Sequence, residues 1–287
     1  MKIASIFEKK KPVLSFEIFP PKKEVGLKNL DGTLEALSGL RPDFISVTFG
    51  AGGTSVNNQT VEIARNIKEN YHIEALAHLT CINYTQAEIQ LLLQELKKAG
   101  IENILALRGD INPEIPPKED FKYASDLVAY IKEHGEFGMS GACYPDGHVE
   151  SANEVEDILH LKKKVDAGVS HLVSQLFFDN EVFYTFQKNI KLAGIHVPVE
   201  AGIMPVINKA QIEKMVSLCG ASLPNKFTKM IGKYGDNKEA LFDAGIAYAI
   251  NQIVDLLAHD VDGIHLYTMN NPLVAQRICE GIKTLIK

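Results

Sequence analysis

Five apolar, β-like runs in this chain of 287 residues end in polar or ionisable side chains. Ser15-Phe16-Glu17-Ile18-Phe19 precedes Pro20-Pro21, and Phe44-Ile45-Ser46-Val47-Thr48 precedes Gly50. Ala75-Leu76-Ala77-His78 precedes Thr80, and Ile104-Leu105-Ala106-Leu107 precedes Arg108-Gly109-Asp110. Leu172-Val173-Ser174-Gln175 precedes Asp179. A charge inside or capping an apolar strand costs several kcal/mol unless something compensates it. One such residue is an accident; a series points to strand tips gathered around one site, where α/β barrels keep their chemistry.

Glu17 lies between Phe16 and Ile18. A carboxyl in apolar surroundings is disfavoured as an anion and can serve as a general acid near neutral pH. A Glu on the solvent face of an edge strand, or one paired with a lysine, would give the same string. Arg108-Gly109-Asp110 offers a donor fork, an acceptor and a glycine that lets backbone approach a flat or phosphorylated ligand. The bland alternative is an ion pair capping a strand. Gly50-Ala51-Gly52-Gly53-Thr54 does not fit G-x-G-x-x-G, so a dinucleotide-binding Rossmann unit is rejected. His78 and His148 fall near strand tips, but no H-x-x-x-H or H-E-x-x-H spacing occurs, so no metal site is expected. Tyr123 and Tyr144 could stack on an aromatic ligand or simply pack in the core.

The elements that must hold these residues repeat. Lys98-Ala99-Gly100-Ile101, Asp166-Ala167-Gly168-Val169 and Leu192-Ala193-Gly194-Ile195 each read as a helix end feeding a strand, with Val261-Asp262-Gly263-Ile264 as a looser copy. Repeated αβ units imply a parallel sheet. The apolar pattern predicts strands near 14–19, 44–49, 74–80, 102–107, 138–143, 171–177, 197–203 and 263–267. Helical patterns lie near 25–39, 55–69, 85–99, 123–134, 151–167, 181–193, 208–219, 238–259 and 271–286. Thr85 with Glu88 three residues on has the form of a capping box. The expectation is a single α/β domain over 1–287, a (β/α)8 TIM barrel with an extra short helix near 220–237; a doubly wound sheet is the alternative. The stretch from Asn112 to Pro117 follows a strand tip and reads as an active-site loop.

Composition narrows the class. Hydrophobic residues make up 46% and charged residues 23%, ordinary for a soluble globular protein. The net charge of −6 with no basic block argues against nucleic acid as the main partner. Lys162-Lys163-Lys164, as long as the Lys9-Lys10-Lys11 run near the start, is by pattern alone a solvated helix face. Cys81, Cys143, Cys219 and Cys279 are widely spread and form no C-x-x-C, as for reduced thiols. The lysine-rich start lacks the apolar stretch of a signal peptide, and no window approaches ~18 uninterrupted apolar residues. A cytoplasmic protein is expected. From the residues alone the reading stops at a barrel with a polar mouth, one buried acid and flat-ligand contacts, consistent with redox or carbanion chemistry on a cofactor.

Eight strings add a resemblance. Leu14 to Pro21, Ser46 to Gly52, Ala77 to Cys81, Leu105 to Asp110, Tyr123 to Leu127, Leu161 to Gly168, Gln175 to Asp179 and Tyr267 to Asn270 occur in this order. Together they resemble the bacterial 5,10-methylenetetrahydrofolate reductases, from Leu14 to Ile278. The resemblance implies an FAD-containing barrel. NADH or NADPH reduces the flavin and leaves, and methylenetetrahydrofolate then receives the hydride in a ping-pong sequence. The product is 5-methyltetrahydrofolate, which feeds methionine synthesis.

By the same resemblance, Glu17 matches the general acid and Asp110 the carboxylate beside flavin and pterin, both also touching substrate. Gln175, Gln211, Met215 and Asn271 fall at folate-contacting positions. Some relatives carry Phe in place of Met215 and Arg in place of Asn271. For FAD the matching positions are Thr48, Ala51, His78, Leu107, Arg108, Gly109, Asp110, Tyr123, Ala124, Ala142, Tyr144, His148, Asp157, His160, Lys163 and Lys164. The two lysines would face the pyrophosphate. A homo-oligomer is also implied. Two competing readings are a methyltransferase-like barrel that binds a pterin without flavin, and a reductase relative that works only with an electron-transfer partner.

Overall fold

The computed structural model describes residues 1–21, 24–49, 58–111 and 114–286; Ala51 and the rest of the Gly50–Thr54 run, with Asn112, lie outside the described residues. Eight parallel strands close into a barrel in sequence order. They are β1 (Val13–Ile18), β2 (Phe44–Val47), β3 (Glu74–Thr80), β4 (Asn103–Leu107), β5 (Gly138–Cys143), β6 (His171–Ser174), β7 (Val199–Ile203) and β8 (Gly263–Tyr267). The seam pairs Val13 with Gly263 and Glu17 with Tyr267. The closed barrel decides against the doubly wound alternative.

Helices α1 (Ala4–Phe7), α2 (Glu24–Ser38), α3 (Asn58–Tyr71), α4 (Gln86–Lys98), α5 (Ala124–His134) and α6 (Glu154–Ala167) come from the first part of the chain. α7 (Asn180–Leu192), α8 (Lys209–Cys219), α9 (Asn225–Tyr234), α10 (Lys238–Ala258) and α11 (Pro272–Ile282) follow. Thr85 and Glu88 form the capping box of α4. Gly100, Gly168 and Gly194 close α4, α6 and α7 with positive φ of 70°, 140° and 77°, as the repeats require.

The looser copy behaves differently. Asp260 takes the left-handed turn after α10 (φ 57°), and Gly263 opens β8 instead. A Cβ on Gly263 would lie 2.8 Å from Glu200 Cγ, so the glycine makes room inside the barrel. The expected β6 of 171–177 also stops earlier, at Ser174. The Gln175 side chain accepts from the Leu176 N–H at 2.9 Å, which ends the ladder with a local turn.

The four-residue α1 was not foreseen. Ile3 and Ile6 pack with Val13, Phe44, Leu76 and Leu105 and seal the end of the barrel away from the strand tips. The Asn103 side chain accepts from Ile3 N–H at 2.8 Å and donates to the Met1 carbonyl at 2.9 Å. The short helix expected near 220–237 is α9. Its Phe227 is buried and stacks on Phe178 at 4.2 Å, a burial that contributes about 2–3 kcal/mol. α10 is long and apolar enough in composition to cross a membrane. It packs against α11, α9 and α7 and buries Leu241, Ile246, Ala249, Ile253 and Leu256.

Candidate active site

All eight strands point their C-terminal ends at one mouth, and period-two alternation sends every second side chain inward. On β1 this places Ser15 and Glu17 inside. Glu17 Oε2 sits 3.6 Å from His78 Nε2 and 3.7 Å from His265 Nε2. The acid is not sealed in the core as its apolar neighbours suggested. Its side chain is 20% exposed, because the penultimate strand position opens onto the cavity. His78 is buried, and that burial lowers its pKa to about 4 against the opposing pull of Glu17. The ring is therefore neutral at neutral pH.

The mouth holds a cavity of about 600 Å³. Glu17, Thr48, His78, Asp110, Gln175 and Met215 line it, with Gly109 at the tip of β4. Gly109 has φ 91°, and a Cβ there would come within 3.1 Å of Thr80. Only glycine lets this loop lie so close to the end of β3. A second cavity of about 420 Å³ opens beside the first. Leu107, Arg108, Ala142, Tyr144 and His148 line both and form their common wall. Tyr123, Ala124, Asp157, His160, Lys163 and Lys164 line the second.

Electrostatics differ across this wall. Arg108 makes a two-pronged pair with Glu150 at 2.6 and 2.7 Å. The hydrogen bond from Arg108 holds the Glu150 carboxyl below its usual range. Burial pushes the Tyr144 phenol upward and the His148 imidazole downward, so both are uncharged. Lys164 donates to the Ala142 carbonyl at 2.6 Å, and burial lowers its ammonium pKa. Lys163, by contrast, is exposed. Tyr123 and His160 stack with ring centres 6.3 Å apart.

Two positions expected at the substrate fall outside either lining. Gln211 lies in the first turn of α8, one turn before Met215. Asn271 is the N-cap residue of α11. Residues not foreseen include Tyr267, whose hydroxyl donates to the Ser174 carbonyl at 2.7 Å, and Met204 and Met269 in the main lining. Glu150 was missed as well, since nothing local in the sequence couples it to Arg108. Two buried polar atoms of residues in the main lining, His78 Nε2 and Asn83 Oδ1, have no hydrogen-bond partner among the described residues. Such atoms favour a polar ligand.

A closed (β/α)8 barrel whose strand tips surround two adjoining cavities, with a carboxyl set between imidazoles, has the architecture of a barrel enzyme with its site at the strand tips. The chain belongs to the methylenetetrahydrofolate reductase family, whose model matches residues 2–283. It is accordingly an oxidoreductase. It is 36% identical over 269 residues to the 5,10-methylenetetrahydrofolate reductase of Escherichia coli K12, covering 94% of this chain and 90% of that one. The enzyme of that name from Pectobacterium carotovorum is 35% identical over 269 residues, with 94% and 89% covered. A methylenetetrahydrofolate reductase (NADH) of Arabidopsis thaliana is 35% identical, with 94% of this chain but 48% of the plant protein covered. Among solved structures, an uncharacterized Clostridium thermocellum protein described as binding two copies of 5-methyl-5,6,7,8-tetrahydrofolic acid superposes with TM-score 0.69 at 16% identity. Its match covers 99% of both chains. That likeness shows the shared barrel.

Proposed function

We propose that this chain is a flavin-dependent reductase that converts 5,10-methylenetetrahydrofolate to 5-methyltetrahydrofolate at the expense of NADH or NADPH. The observation that carries the reading is the joining of Glu17 to a cavity whose second lobe offers stacked rings and cations. FAD suits that donor set. His78 and Asn83 line the larger lobe, Lys163 supplies positive charge in the second lobe, Arg108 stands at the shared wall paired with Glu150, and Tyr123 with His160 offers a ring platform. Thr48, Gly109, Asp110, Ala124, Ala142, Tyr144, His148, Asp157 and Lys164 would complete its enclosure. Ala51, outside the described residues, belongs to the same proposal. When bound, FAD would supply the hydride-transfer chemistry that links nicotinamide oxidation to folate reduction in two half-reactions.

The chain's own residues do the rest. Glu17 donates its proton to the nitrogen that leaves as the five-membered ring of the folate opens. The carbon–nitrogen bond to that nitrogen breaks, and the remaining nitrogen forms an iminium that accepts the hydride. Asp110 holds the cationic folate by charge. Gln175 offers an amide to the pterin. Met215 covers the bound folate with a flexible apolar side chain, and Gln211 and Asn271, outside both linings, would contact only the part of the folate that extends beyond the cavity. We further propose that residues 1–287 act as one catalytic domain in a cytoplasmic homo-oligomer, which light scattering on the purified protein tests.

Anaerobic stopped-flow mixing tests the reaction, read at the flavin band near about 450 nm. NADH or NADPH should bleach the band, and methylenetetrahydrofolate should restore it. Glu17→Gln should keep the bleaching and nearly abolish the recovery. A protein that stays colourless after incubation with FAD sinks the flavoenzyme reading and favours the methyltransferase-like barrel. Bleaching without recovery in the parent enzyme sinks folate as the acceptor.

A further inference from the structure

Beneath Glu17 the barrel interior contains polar side chains that the reaction above does not use. Glu200 on β7 is fully buried. Its Oε1 accepts from the Ser15 hydroxyl at 2.8 Å, and its Oε2 lies 3.0 Å from His171 Nε2. The Ser15 oxygen is in turn 2.6 Å from His265 Nδ1. The opposite nitrogen of His265 faces Glu17 at 3.7 Å. Ser15, His171 and His265 are each no more than 1% exposed.

A hydroxyl has one hydrogen. Ser15 gives it to Glu200, as a buried carboxylate demands. Toward His265 it then offers only lone pairs, so Nδ1 must carry the ring hydrogen. In its neutral form the imidazole has one N–H, and Nε2 then turns a lone pair toward Glu17. An acceptor facing a carboxyl favours its acid form, whereas a donor would favour the carboxylate. We propose that Glu200 is a positioning residue for the proton on Glu17: through Ser15 it fixes the tautomer of His265. This rests on Glu17 being the general acid.

The other groups around the His265 ring leave that role open to Glu200. Ser46 on β2 is 3.5 Å from Nε2, a long contact from a neutral hydroxyl. His78 on β3 is neutral through burial. Tyr267 on β8 meets the ring edge-on at 5.2 Å and donates its own hydrogen to Ser174. His171 on β6 contacts Glu200 and, through Nδ1, Ser140 of β5 at 2.9 Å.

Glu200→Met is the test. Methionine is unbranched and of similar length; removing one member of a buried polar network destabilises the fold, so Ser15→Ala stands beside it as a second variant. Ser15 would then donate to His265 Nδ1, and the ring hydrogen would move to Nε2. Nitrogen-15 NMR of histidine-labelled holoenzyme reads this directly, with His265→Gln identifying the signals. The parent should show Nδ1–H and the variant Nε2–H. The folate half-reaction should slow about tenfold near neutral pH, with its pH profile displaced toward acid. Bleaching by the nicotinamide should stay within about twofold, because it uses no proton from Glu17.

The same His265 tautomer in both proteins overturns the proposal, and so do superimposable pH profiles of folate reduction. Should Glu200→Met fail to fold, Ser15→Ala cuts the same connection while leaving the Glu200–His171 pair. Unchanged His265 signals in that variant also overturn it. A parent enzyme that reduces no folate refutes the proposed function instead, and the NMR comparison still decides whether Glu200 sets the ring.

Discussion

His78 makes acid costly for this fold in a way that one substitution removes. Burial lowers its pKa from 6.5 to about 4, with Glu17 opposing and His265 reinforcing the shift. Between those two values the unfolded chain carries a proton on this ring that the folded protein refuses. Each step toward acid in that window therefore favours unfolding, and above pH 6.5 nothing is lost. The difference of about 2.5 pH units corresponds to about 3 kcal/mol over the whole window, of which about 2 kcal/mol is spent by pH 5. His78→Gln has no ring to titrate. Urea unfolding of parent and variant at pH 7.5, 6 and 5 should show the parent losing about 2 kcal/mol more than the variant on going from 7.5 to 5. His148, also lowered by burial, affects both proteins alike and cancels. Equal pH slopes for the two proteins would refute the reasoning, since the burial of His78 would then carry no proton linkage.

Other substitutions probe the scaffold and the second lobe. Gly202→Ala would drive its methyl into the Ser174 carbonyl and to 2.8 Å from the Tyr267 ring; both are fixed in the barrel wall, so a loss of about 3 kcal/mol is expected from urea midpoints. Thr85→Ala removes one half of the α4 capping box, which should cost about 1 kcal/mol and lower the calorimetric Tm by about 2–4 °C. Tyr123→Ala deletes a ring that is 48% exposed, so folding should be unaffected. FAD affinity by fluorescence titration should fall by about fivefold, the worth of about 1 kcal/mol of stacking; an unchanged Kd would place the flavin elsewhere.

The strands were legible because short apolar runs recur at regular spacing, three of them announced by a glycine at the preceding helix end. α1 was not, since four residues are too few to show a helical period. The site was legible where strand tips carry polar residues. Glu17, His78, Arg108 and Gln175 were found that way, and all line the cavity. Glu200 and His265 carry the same mark, an ionisable residue within an apolar run, but they sit below the strand tips, where the tip pattern does not pick them out. The degree to which Glu17 is covered was misjudged for a related reason. Its neighbours in sequence point outward to the helices, and what surrounds the carboxyl comes from β3 and β8. Arg108 and its partner Glu150 are 42 positions apart in the chain, a pairing no local pattern records.

The seam between β1 and β8 is stapled above the acid. Thr268 Oγ1 donates to the Glu17 carbonyl at 2.7 Å, 251 residues along the chain, and the Asn270 amide clamps the backbone of Phe19 through both its oxygen and its nitrogen. On the ribosome, at about 5–20 residues per second, Glu17 therefore waits roughly 10–50 s before these residues have even been made. Until then the nascent chain has its acid but neither the His265 ring beside it nor a closed wall behind it. A chain stalled short of β8 would hold most of the sheet and none of the chemistry.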